Sequence, residues 1–175
     1  MIKSIENQFK SSMTDAKLVD IRLYQVNDHY YNLPDKKLCI IDAGIEFIFD
    51  LNSYSLVWNQ ELGAFNFRKN GFIETYQDDN FRKLNNELIK SLGKDKIVEV
   101  DFKWIDYEII IDYTMATKKE SGLVEMLLTF ESGDSLQIAT VGFEFNKDKV
   151  PDKFYYDITG QLLLSVNNYI DIKQI

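Results

Sequence analysis

Residues 97–113 read IVEVDFKWIDYEIIIDY, and the fold turns on how that stretch is read. Over 97–104 Val98, Val100, Phe102 and Trp104 alternate with Glu99 and Asp101. Over 106–113 Tyr107, Ile109, Ile111 and Tyr113 alternate with Asp106, Glu108 and Asp112. A period of two is the signature of a β-strand with one buried face, because successive side chains leave a strand on opposite sides. The spacing predicts two strands paired antiparallel about Ile105-Asp106, which would crowd their acids onto one sheet face.

The same alternation recurs outward from this stretch. It is present in KLVDIRLYQV (17–26) and GIEFIFDL (44–51), and 53–59 follows after a short turn. Asn70-Gly71, between Phe65/Phe67 and Phe72/Ile73, predicts a hairpin, since both central positions of that turn need positive φ. Ser132-Gly133-Asp134 predicts a second within 123–145, and 154–166 and 169–172 read as closing strands. Two segments carry helical spacing instead. Ile2, Ile5, Phe9 and Met13 share one face of 2–13. Phe81, Leu84, Leu88, Ile89 and Leu92 share one face of 79–92, with Asp78 or Asp79 as cap and Gly93 as stop. The expected fold is α+β: mainly antiparallel sheet with one or two packed helices, in a single domain over 1–175.

Composition narrows the function. The chain has 20 basic and 28 acidic residues, a formal net charge of −8. Phosphate binding needs the opposite sign, so nucleic acid is not an expected partner. No run approaches the roughly 20 apolar residues that span a bilayer, and the charged start is unlike a signal peptide. A cytoplasmic location without a membrane partner is the expectation. Cys39 is the only cysteine and His29 the only histidine. Neither a disulfide nor a thiolate zinc site follows from one cysteine, and no nucleophile motif or glycine-rich phosphate loop accompanies His29. No catalytic residue, metal ligand or cofactor is assigned, and the chain reads as a non-enzyme.

What stands out is carboxylate. From Glu99 to Glu144 there are ten acids against Lys103, Lys118 and Lys119, a net −7 of the total −8. Clustered charge of one sign speeds association and selects partners of the other sign. An aromatic run, Tyr54, Trp58, Phe65, Phe67, Phe72 and Tyr76, reads mainly as sheet interior. Tyr54, Trp58, Phe65 and Phe67 also admit an alternative, a small-molecule or lipid-binding module with an aromatic-lined cavity.

In overall character the chain resembles the small acidic immunity proteins of bacterial toxin–immunity systems: β-rich, without a catalytic kit, with acids gathered between Glu99 and Asp134. The resemblance implies a decoy that binds a basic toxin domain and blocks it sterically and electrostatically. On that reading Asp101, Asp106, Glu108, Asp112, Glu131 and Asp134 meet the partner, with Trp104, Tyr107 and Tyr113 as aromatic anchors.

Overall fold

The fold is that of a computed structural model, which describes residues 2–28, 30–60, 62–76, 80–111 and 116–174. Helix α1 (Ile2–Asp15) leads into β1 (Leu18–Gln25), β2 (Tyr31–Leu33), β3 (Leu38–Ile41), β4 (Gly44–Phe49), β5 (Ser53–Asn59) and β6 (Ala64–Lys69). A one-turn helix α2 (Phe72–Thr75), β7 (Arg82–Leu84) and α3 (Glu87–Leu92) follow. The chain then forms β8 (Ile97–Ile111), β9 (Ala116–Phe130), β10 (Ser135–Phe145), β11 (Pro151–Tyr156) and β12 (Gln161–Val166). The α+β, mainly antiparallel architecture read from the sequence is the one observed.

The strands make two sheets. One has the order β6-β5-β4-β1-β7, the other β2-β3-β12-β10-β9-β8, with β11 paired to β10. The alternation predicted for β1 and β4, which β5 continues, is what lets the sheets share one core. Ile21, Leu23, Ile45, Phe47, Tyr54, Leu56 and Phe67 of the first meet Cys39, Ile41, Met126, Leu128, Leu136, Ile138 and Leu164 of the second. Helix α1 inserts Phe9 and Met13 into that core at the predicted four-residue spacing. Phe9 is fully buried, its ring 5.1 to 6.0 Å from those of Phe47, Phe49, Tyr54, Phe67 and Phe102. Cys39 lies in the same core, where burial pushes its thiol up to about 12. Among the described residues no helix is long and apolar enough to cross a membrane.

Three local expectations need correction. Asn70-Gly71 does not turn a hairpin. Gly71 is extended and caps α2, and Phe72 tucks onto the first sheet, stacked on Tyr24 with ring centroids 3.7 Å apart. Burial of Phe72 decides it, and its N–H donates to the buried carboxylate of Glu46 at 3.2 Å. The helix expected over 79–92 is helical only from Glu87 to Leu92. Arg82–Leu84 is extended instead and fills the open edge of β1. The cap is Asn86, whose Oδ1 accepts from the N–H groups of Leu88 and Ile89; Asp78 and Asp79 lie outside the described residues. The segment 169–172 is no strand. Ile170 and Ile172 pack on the outer face of the second sheet, where Lys173 exchanges main-chain hydrogen bonds with Phe154 and Tyr156.

The edge of β10 positions the candidate site. Ser135–Ala139 of β10 pair with β9, and Val141–Phe145 pair with β11. Val141 also pairs with Gln161 of β12, so β9 and β11 occupy the same edge of β10 in succession. Strand β9 leaves β10 at Glu125, and from Val124 toward its start it is paired, among the described residues, with β8 alone. The result is a two-stranded arm of about 30 Å, at roughly 3.3 Å per residue.

Candidate protein-binding surface

The arm and its root hold most of the residues expected to meet a partner, and its register decides where each points. Strand β8 runs unbroken through Ile105-Asp106, so the predicted pairing of 97–104 with 106–113 does not occur. The stretch lacks glycine, proline or asparagine to turn on, and β9 supplies a longer partner. Asp106 follows Asp101 by five positions, an odd offset, so the two leave β8 on opposite faces. Glu99 and Asp101 stand opposite Thr129 and Leu127 on the outer face of the second sheet. Asp106 and Glu108 stand opposite Ser121 and Lys119 and share the face of Trp104. The acids do not crowd one face.

A register shift lies where the apolar phase of β8 changes. Lys103 pairs with Glu125 and Trp104 with Leu123, leaving Val124 as an extra residue on β9. Below this bulge the buried side of β8 is the inter-sheet core, which takes Val100 and, in part, Phe102 and Trp104. Above it the inner face runs past the sandwich into solvent, which suits Asp106 and Glu108, both exposed. The opposite side is partly covered there. A Cβ on Gly122 would lie 3.1 Å from the Tyr107 ring and 3.4 Å from Ile158, so Tyr107 and the β11–β12 turn close over that glycine. Burial, with the nearby Glu120 carboxylate, raises the Tyr107 phenol above its ordinary value.

The remaining expected residues fall elsewhere. Trp104 is half-buried against the core, and its indole N–H donates to Glu6 of α1 at 2.6 Å, which ties it to the helix. Asp134 works inside the β9–β10 turn, accepting from the Ser132 hydroxyl at 2.9 Å and the Asn167 amide at 2.6 Å. Glu131 is exposed beside it, at the opposite end of β9 from the arm tip. Asp112 and Tyr113 lie outside the described residues. Four carboxylates on β8 are therefore presented to solvent, Glu99, Asp101, Asp106 and Glu108. Among the described residues the ion pairs of the arm are confined to Lys118 with Glu120 on β9. Asp106 accepts a hydrogen bond from the Ser121 hydroxyl at 2.6 Å, a neutral donor that leaves its charge in place.

A polar cluster that sequence reasoning missed fastens the root of the arm. Glu125 is only 9% exposed although it faces outward. Its carboxylate accepts from Gln137 Nε2 at 2.5 Å and from the Tyr156 hydroxyl at 2.7 Å. Gln137 in turn brackets the main chain of Ile170, accepting from its N–H at 2.8 Å and donating to its carbonyl at 3.0 Å. The Lys103 ammonium sits 4.1 Å from the Tyr156 ring centroid, a cation–π contact. Burial first, then the bond to Glu125 and its charge, raise the Tyr156 phenol well above its ordinary value. Alternation marks Glu125 as outward-facing and hence as exposed; only the closeness of β11 and the C-terminal segment buries it.

The aromatic run lies largely in the interior. Tyr54, Phe65 and Phe67 fill the core with one another and with Phe9, while Trp58 is packed at its rim. Trp58 borders an open cleft of about 410 Å³ that Asp42, Asn27, Gln60 and Gln161 make polar. Among the described residues no three acid, histidine or cysteine side chains converge as metal ligands. Comparison of the chain with protein-family models, curated proteins and solved structures finds no match.

Proposed function

We propose that this chain is a non-enzymatic protein-binding domain that captures a basic partner on β8 and the β8–β9 arm, as an immunity protein neutralises a cognate toxin. The observation behind this reading is the set of four solvent-facing carboxylates on one strand, Glu99, Asp101, Asp106 and Glu108, with no cation within ion-pairing distance among the described residues. Unpaired surface charge of one sign costs stability through self-repulsion but accelerates capture of an opposite charge. Lys103, the one base among them, is turned onto the Tyr156 ring. Glu131 and Asp134 belong to a separate turn and act at most as a secondary contact.

Charge reversal tests this. Glu99→Lys/Asp101→Lys and Asp106→Lys/Glu108→Lys change exposed side chains, so both variants keep the native circular dichroism spectrum. Binding of poly-L-lysine, followed by fluorescence anisotropy at low salt, weakens by about tenfold or more in each, and the salt dependence of the association rate flattens. Unchanged affinity in both variants removes this reading.

A further inference from the structure

We infer that the free edge of β8 is a docking edge, onto which a partner adds an extended, lysine- or arginine-rich segment as one more strand of the second sheet. This rests on the basic-partner reading above and adds to it the mode of binding. Strand β8 ends its sheet and, among the described residues, pairs with β9 alone. It is 15 residues long, about 50 Å, where a typical strand has five or six. Half of its backbone N–H and C=O groups point away from β9, and helix α1, which touches Phe102 and Trp104, has none to offer them in strand geometry.

A long bare edge invites pairing, and proteins blunt such edges with charge, proline, bulges or a covering element. Here the protection is mainly negative charge, since the one base of the segment, Lys103, is turned onto the Tyr156 ring. The bulge near Trp104 puts its extra residue on β9, so β8 keeps a regular edge from Glu99 onward. A second copy of this strand would bring carboxylates against carboxylates, which is unfavourable. A cationic strand meets the reverse situation. Because an edge partner pairs in the plane of the sheet, it reaches acids on both faces. Glu99 and Asp101 lie on one face and Asp106 and Glu108 on the other. The complementary strand therefore carries bases two apart, a gap of five, and two apart again. The matching segment has basic residues at its first, third, eighth and tenth positions.

The test uses a decapeptide with lysine at those four positions and threonine or valine elsewhere, beside two versions N-methylated on alternate amides of either parity. N-methylation removes hydrogen-bond donors and leaves the charge. The parent peptide is expected to bind and to slow hydrogen exchange of the β8 amides over 99–108. Methylation of the parity that faces β8 weakens binding tenfold or more, and the other parity leaves it within twofold. A peptide of the same composition with its four lysines contiguous binds at least fivefold more weakly than the parent. If both methylated peptides bind like the parent while charge reversal still weakens all of them, the acids attract a basic partner but the edge does not pair. If charge reversal changes nothing, the basic-partner reading falls as well. If the β8 amides become protected with rising protein concentration and no peptide, the edge belongs to a second copy, and the cationic segment is ruled out.

Discussion

Replacing Tyr156 with phenylalanine isolates one bond at the root of the arm. The ring stays, so the Lys103 contact stays, and only the hydroxyl donor to Glu125 is lost. A hydrogen bond to a charged group contributes about 1.5–3 kcal/mol, and a buried acceptor left short of a donor carries most of that cost. Glu125 keeps its Gln137 donor, and Tyr156 is half-buried, so water at its exposed side offsets part of the loss. The expected destabilisation is ~1–2 kcal/mol at pH 7 in urea unfolding, or a fall in Tm of roughly 2–8 °C for a chain of this size. The pH dependence gives an independent check. The folded-state value of the Tyr156 phenol is raised, so its contribution is complete below the unfolded value of about 10 and is lost as pH climbs from there through the folded value. The gap between wild type and Tyr156→Phe is therefore constant from pH 7 to 9 and narrows above about 10. A gap below about 0.3 kcal/mol at pH 7, or one unchanged at pH 11, would refute the idea that this bond fastens the arm.

Two further substitutions probe the framework that carries the arm. Phe9→Ala empties the ring cluster between the sheets and costs about 3–5 kcal/mol by chemical denaturation, with Phe9→Leu recovering more than half. Gly160→Ala places a Cβ 2.1 Å from the Val141 carbonyl oxygen, a backbone atom that cannot swing aside. It lowers stability by about 1–3 kcal/mol, seen as an earlier thermal transition.

Much of the fold is legible in the chain because alternation survives wherever a strand has one buried face throughout. Ile45, Phe47 and Phe49 could be assigned to one face without coordinates, and all three are buried. Legibility fails where the buried side changes along one strand. Between Trp104 and Tyr107 the apolar phase slips by one residue, which local reasoning takes for a turn. The slip reflects events outside the stretch: the departure of β9 from β10 at Glu125 and the bulge at Val124. The same holds for Asn70-Gly71. Its turn preference is a local term, and it is outweighed by burial of Phe72 between Tyr24 and Val57 with Glu46 to receive its N–H. The candidate site was half legible. The acidity of 99–108 is plain in the residues, but its distribution over two faces depends on a register that 97–113 alone does not contain.

That distribution changes what the charge can do. Acids gathered on one sheet face would suit a partner laid flat on the sheet, and would leave the strand edge to ordinary protection. Acids split between the faces serve a flat partner poorly, since any one approach meets half of them. They serve an edge partner fully, because every residue of β8 from Glu99 to Glu108 lies beside the line along which another strand would pair. Repulsion is shared over the same line, so the device that keeps two copies of this chain apart is the one that selects a cationic strand. Shielding and recognition then have the same salt dependence: raising ionic strength weakens peptide capture while making self-pairing of β8 easier. A single titration with salt, read by peptide anisotropy and by the oligomeric state of the free protein, moves the two in opposite directions if the edge is where both occur.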